Sequence, residues 1–269
     1  MHYLIEGRTA YCYTGGKPYN PAQPTAVFIH GAQNDHSVWG LQTRYFAHHG
    51  FNVLAVDLPG HGRSDGPALD SIEAISAWLL ALLDAAGVER AMLVGHSMGS
   101  LAALETAGAA PGRVSRLALV GTAYPMRVSD VLLDAARTDE GRAIDMVNIW
   151  SHSTMSPKPS SPGPGFNVME GARRLMQRMA ARGPELLFHT DFAVCNSYAG
   201  GEVAAARVTC PTLLLLGQRD MMTPPKAARL LKDAIAHART VEVAASGHSL
   251  MTEQPDAVLD ALFRFATEP

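Results

Sequence analysis

Ala91-Met92-Leu93-Val94-Gly95-His96-Ser97-Met98-Gly99-Ser100 is the stretch whose reading decides the fold. Four apolar residues give a strand-like run, and Leu101-Ala102-Ala103-Leu104 then give a helix-compatible one. The period changes across Ser97 itself. A sharp strand-to-helix turn leaves little room beside the serine backbone. Glycine two residues before and two after answers that crowding, because it carries no Cβ. The turn holds the Ser97 hydroxyl out at the carboxyl end of a strand. It also places the amide of Met98, at a helix N-terminus, where a developing oxyanion would sit. The plain reading of the same residues is a glycine-rich turn with a capping serine.

Working outward, the N-terminal side is strand and helix in alternation. Residues 2–14 read as a hairpin around Glu6-Gly7-Arg8. Thr25-Ala26-Val27-Phe28-Ile29 is a buried strand that runs into His30-Gly31-Ala32-Gln33. Asp35, His36 and Trp39 follow, with pocket-mouth, capping and packing roles all open to them. A helix over 41–49 ends at Gly50, and 51–56 is a further buried strand. Asp57-Leu58-Pro59-Gly60-His61-Gly62-Arg63-Ser64-Asp65 is a tight turn cluster, read as scaffold; His61 in it is structural or solvated. Ser71 caps a helix ending at Gly87, and the strand over 116–120 ends in Gly121-Thr122-Ala123 without a carboxylate.

From about 122 to 206 the strand-like runs stop and helical patterns take over, at 131–150, 168–182 and 184–198. A Pro/Ser/Gly-rich loop over 156–165 interrupts them. These residues are expected to form a helical lid inserted between a core of 1–121 and a core of 207–269. Its apolar side chains include Met146, Trp150, Met155, Phe166, Met169, Met176, Met179, Phe188 and Phe192. Such adaptable groups suit an apolar substrate, or simply pack the lid on the core. Arg173, Arg174 and Arg178 form a basic run, either a solvated face or a seat for an anionic group. A strand over 208–216 then leads to Gly217-Gln218-Arg219-Asp220 and Met221. A helix over 225–236 and a strand over 240–243 follow, and the last strand leads to Ser246-Gly247-His248. Glu253 reads as a helix-start or packing residue, and a helix over 255–266 closes the chain.

Taken together, these motifs resemble the α/β-hydrolase family: the Gly95-to-Gly99 elbow, the Asp57 loop, the G-x-x-D turn at Asp220 and the late Gly-His. The resemblance implies an α/β-hydrolase fold, a mostly parallel central sheet flanked by helices, with an inserted helical lid. It implies a Ser97, Asp220, His248 triad in the family's chain order, and a lidded serine hydrolase of the carboxylesterase kind. By the same resemblance the amide of Ala32, after His-Gly, joins that of Met98 in an oxyanion hole. His96 is read as a support pointing away from the site. A serine hydroxyl needs an adjacent base, which His248 supplies, and Asp220 would fix the imidazole tautomer. Relatives that open epoxides or carbon–halogen bonds use aspartate where this chain has Ser97.

The expected substrate is a small-to-medium apolar ester or related acyl compound. Pocket candidates are His36, Trp39, Trp150, Phe192 and Met221. Two alternatives stand beside hydrolysis of an ester: carbon–carbon bond or perhydrolase chemistry on the same triad, and a ligand-binding sensor with a slow or vestigial site. No metal or organic cofactor is implied.

The totals narrow the class further. A net charge of -3 gives no basic field for nucleic acid or anionic lipid. Three cysteines, Cys12, Cys195 and Cys210, form no C-x-x-C pattern and fit a reducing compartment. With no signal-peptide pattern and no apolar run of membrane length, a cytoplasmic protein without membrane insertion is expected. A homodimer is left open.

Overall fold

In a computed structural model, residues 1–154 and 167–268 are described. The centre is an eight-stranded sheet in the order β1-β2-β4-β3-β5-β6-β7-β8. The strands are β1 (His2–Ile5), β2 (Arg8–Tyr13), β3 (Thr25–Ile29), β4 (Asn52–Val56), β5 (Ala91–His96), β6 (Val114–Val120), β7 (Thr212–Gly217) and β8 (Ala238–Val243). The β1–β2 hairpin joins β4 antiparallel, and every pairing from β4 to β8 is parallel.

Strands β3, β4 and β5 are buried from end to end, as a parallel sheet covered on both faces requires. Alternate residues enter opposite cores. Val27 and Ile29 pack on the side of α2 (Ile72–Ala85) and α3 (Met98–Ala109). Ala26 and Phe28 face α1 (Gly40–His48) and α11 (Pro255–Thr267), through Phe46, Leu262 and Phe265. Ser71 caps α2 by accepting from the Ala74 amide, as its sequence predicts.

Among the described residues, five helices lie between β6 and β7: α4 (Asp130–Thr138), α5 (Glu140–Ser151), α6 (Val168–Arg182), α7 (Leu187–Ser197) and α8 (Gly201–Arg207). The helical pattern over 131–150 is divided in two, because Asp139 leaves the helical conformation, at φ -151 and ψ 74, and caps α5 through the Arg142 amide. The pattern over 184–198 begins later, at Leu187. Helix α8 was not read from the sequence. Its small residues pack on α3 so closely that a Cβ on Gly108 would meet Ala204 at 2.6 Å. Ala204 and Ala205 thereby join the core under the sheet. The pattern over 225–236 resolves into a 3-10 turn, Pro225–Ala228, and α9 (Arg229–Ala234). The loop over 156–165, Met155 and Phe166 lie outside the described residues. Among the described residues, no helix is long and apolar enough to cross a membrane.

Candidate active site

Ser97 sits between the end of β5 and the start of α3 with φ 52, in the left-handed region that a side chain enters at a cost. The neighbouring glycines make that possible. A Cβ on Gly95 would lie 2.1 Å from the Gly99 carbonyl oxygen, and one on Gly99 would meet the His30 oxygen at 2.5 Å. Ser97 is pinned through its amide, which donates to the Val120 carbonyl at 3.0 Å. Met98 opens α3, so its amide has no acceptor within the helix.

Asp220 follows β7 in a turn closed by its own amide on the Gly217 carbonyl. Its carboxylate accepts from the amides of Met222 and Thr223, from Thr223 Oγ1 and from His248 Nδ1 at 2.8 Å. Burial alone would raise its pKa. The facing His248 and these donors outweigh burial and hold the carboxyl down at about 2. An ionised Asp220 accepting from Nδ1 leaves Nε2 of a neutral His248 as the basic nitrogen. Ser97 and His248 line the same chamber.

Histidine 248 is braced from two sides. Its carbonyl accepts from His96 Nε2 at 2.9 Å. Burial, and the nearby His248, hold the His96 ring neutral with a pKa lowered to about 3. On the other side Glu253, fully buried between α10 (Leu250–Glu253) and α5, accepts from the Gly247 amide at 2.5 Å. The same carboxylate accepts from the Ser153 amide and hydroxyl, each at 2.9 Å. Neither a helix start nor simple packing describes Glu253. It ties the histidine loop to the end of α5.

The loop after β3 carries Ala32 to the same chamber. Asn34 Nδ2 donates to the Ala32 carbonyl at 2.8 Å, and the Gln33 amide donates to Asp191 of α7 at 2.7 Å. Asp191 also pairs with His61 Nε2 at 2.9 Å, deep in the interior. His61 is thus structural rather than solvated; burial opposes its charge, but Asp191 raises its pKa overall.

Two spaces meet at Ser97. The larger, about 320 Å³, is walled by apolar groups including Met126, Leu132, Trp150, Phe192 and Met222, with Met221 at its exposed rim. The smaller, about 60 Å³, includes Asn148, whose buried Oδ1 has no hydrogen-bond partner among the described residues. Trp150, Phe192 and Met221 therefore reach the chamber. His36 and Trp39 do not. His36 donates to Asp57, its Nδ1 lying 2.7 Å from Oδ1, and so secures the turn after β4. Trp39 is wholly buried in the core against Phe28 and the edge of the His96 ring. Each arginine of the basic run has a carboxylate partner among the described residues: Arg173 pairs with Asp145, Arg174 with Glu170 and Arg178 with Asp35. Asp35, His36 and Asp57 bring potential metal-ligand atoms within 4.8 Å of one another, but Asp57 and Asp35 already accept from His36 and Ser37.

A strained serine between a parallel strand and a helix, with an Asp-His pair at the next strand ends, defines a hydrolase class of site. Comparison with known proteins agrees. A model of the alpha/beta hydrolase fold matches residues 24–255. The chain belongs to this family and is an enzyme of the hydrolase type. It is 29% identical over 255 residues to a non-heme chloroperoxidase of Streptomyces lividans, covering 89% of this chain and 90% of that one. It is 25% identical to the AB hydrolase superfamily protein YisY of Bacillus subtilis, covering 89% and 90%. An enol-lactonase of Burkholderia xenovorans shares the fold with a TM-score of 0.81 at 24% identity, covering all of both chains.

Proposed function

We propose that the protein is a serine hydrolase that cleaves a carboxylic ester or related acyl bond of a small-to-medium apolar substrate through an acyl-enzyme on Ser97. The observation that carries this reading is the placement of Ser97, at φ 52, in one chamber with a His248 whose Nδ1 is held by Asp220 at 2.8 Å. His248 Nε2 takes the Ser97 proton as Oγ attacks the carbonyl carbon, and returns it to the leaving alcohol. Water, deprotonated by the same nitrogen, then attacks the acyl-enzyme and releases the acid and free Ser97. The amides of Ala32 and Met98 hold the tetrahedral oxygen, each worth about 3–4 kcal/mol in comparable sites. Helices α4 to α8 form the lid, with Trp150 and Phe192 as apolar walls.

One relative favours a second reading on the same residues. The Streptomyces lividans protein is named as a chloroperoxidase. Hydrogen peroxide in place of water at the acyl-enzyme would give a peracid, and product analysis of an ester with and without peroxide separates the two. The first test is intact-protein mass after exposure to a fluorophosphonate at neutral pH. A single adduct on the wild type and none on Ser97→Ala is expected; no adduct, or one that persists in Ser97→Ala, overturns the assignment.

A further inference from the structure

The wall of the larger chamber is mainly apolar, and among its described residues one carries a permanent charge, Arg127. Arg127 lies between buried Met126 and half-buried Val128, in the segment that joins β6 to α4. It is exposed and lines the chamber. Four arginines of the inserted helices are paired. Arg137 pairs with Asp134, and Arg173, Arg174 and Arg178 each have a carboxylate. Among the described residues no carboxylate comes within 4.0 Å of Arg127. Of the two acids of α4, Asp134 is taken by Arg137 at 2.9 Å, and Asp130, three residues after Arg127, makes no ion pair with it among the described residues.

A cation on the rim of an apolar chamber is complementary to one kind of molecule: an apolar body that ends in an anion. From this juxtaposition we infer that the substrate is an amphiphilic acyl compound with a terminal carboxylate, its apolar body in the chamber and its carboxylate on the Arg127 guanidinium. The inference rests on the Ser97 reading and narrows it. A guanidinium matches a carboxylate with two parallel hydrogen bonds, and low-dielectric walls on one side strengthen that pair beyond an ordinary surface one. The size is set by the space. A sphere of 320 Å³ is about 8–9 Å across, the length of roughly seven chain bonds. Seven bonds separate the two carboxyl carbons of suberate. The chemistry stays plain hydrolysis: water adds across the acyl bond, and the carboxylate at the far end is unchanged.

The test uses two matched pairs of esters. In the first, the para-nitrophenyl half-ester of suberic acid is set against the suberamate, in which a neutral carboxamide replaces the carboxylate. In the second, ω-acetoxyoctanoate is set against its amide, so that the carboxylate sits on the alcohol side. The readout is the ratio of kcat/KM, charged over neutral. A ratio of about ten or more is expected in one pair. It should fall to about one in Arg127→Gln, persist in Arg127→Lys, and shrink at about 0.5 M salt. Ratios near one in both pairs overturn the inference, as does a preference that survives Arg127→Gln. Fluorophosphonate labelling separates the two levels. A protein that labels at Ser97 and hydrolyses charged and neutral esters alike refutes the anion site alone. A protein that neither labels nor turns over any of the four esters refutes the Ser97 reading, and the anion site with it.

Discussion

Glu253→Gln tests whether the histidine loop is positioned by a buried carboxylate. In the native protein one oxygen of Glu253 accepts from the Gly247 amide, and the other from the Ser153 amide and hydroxyl. The two amides donate outright, and the Ser153 hydroxyl divides its one hydrogen between Glu253 and the Ala245 carbonyl. A glutamine has one carbonyl oxygen and one NH2 group, so it can serve only one of the two sides. With the carbonyl on Ser153, NH2 is turned against the Gly247 N–H; with the carbonyl on Gly247, NH2 is turned against the Ser153 N–H. That leaves one buried amide without an acceptor, at about 1–3 kcal/mol. What remains loses its charge assistance, which is roughly half its strength. The sum is about 2–4 kcal/mol, or a fall in Tm of about 5–15 °C for a chain of this size. Gly247 is the residue before His248, so either orientation also loosens the hold on the imidazole. A displacement of about 1 Å there can cost up to 100-fold in rate. The assay is thermal unfolding beside ester kcat/KM, with the Asp220–His248 contact followed by the low-field imidazole proton signal in NMR. A glutamine variant with an unchanged Tm refutes the hydrogen-bond accounting. A variant with a lowered Tm but full activity and an unchanged proton signal refutes the positioning role.

Two further outcomes are expected. Asn148→Leu removes a buried carbonyl oxygen that has no partner among the described residues and keeps the side chain's shape; urea unfolding should show a gain of about 1–3 kcal/mol, and a loss would mean that the oxygen is satisfied in solution. His96 is held neutral with a folded pKa of about 3, below its unfolded value of about 6.5, so its contribution is complete above the unfolded value and is lost as pH falls from there toward the folded one. Urea unfolding between about pH 6.5 and 4.5 should lose about 1.4 kcal/mol per pH unit through this residue; an equal slope in His96→Leu would refute the attribution.

The sheet was legible because each parallel strand is a short apolar run stopped by a turn. The runs at 25–29, 51–56, 116–120 and 208–216 each became a strand within a few residues. Asp220 and His248 could be marked for the same reason, since each stands just past a strand, and parallel order brings such ends to one edge. The supporting shell was not legible. Glu253 meets Ser153 across 100 positions, and Asp191 meets Gln33 across 158. Nothing local in a sequence records a partner so distant. His36 and Trp39 mislead for the opposite reason: polar and aromatic residues after a site loop look alike whether they face the chamber or the core. The arginine run misleads because Asp145 and Asp35, which occupy Arg173 and Arg178, come from other elements. Position 139 shows how one polar residue divides a helical pattern: Asp139 competes for the backbone and starts a new helix.

The carboxylate of Asp191 joins three parts of the chain at one point. It comes from α7, it receives the Gln33 amide beside Ala32, and it receives the His61 ring from the turn after β4. Gln33 stands at φ 55, a conformation that needs an outside hold. The helices between β6 and β7 are therefore not an interchangeable cap on a finished sheet. A replacement set taken from a relative, however well it covered the chamber, would leave the loop after β3 unclamped unless it delivered a carboxylate to the same place. The same loop also reaches α5 and α6 through the Gln33 side chain, which donates to Glu140 and to the Met176 carbonyl, so a remodelled set of helices has to meet several fixed contacts at once, with Asp191 the one that holds the Gln33 backbone.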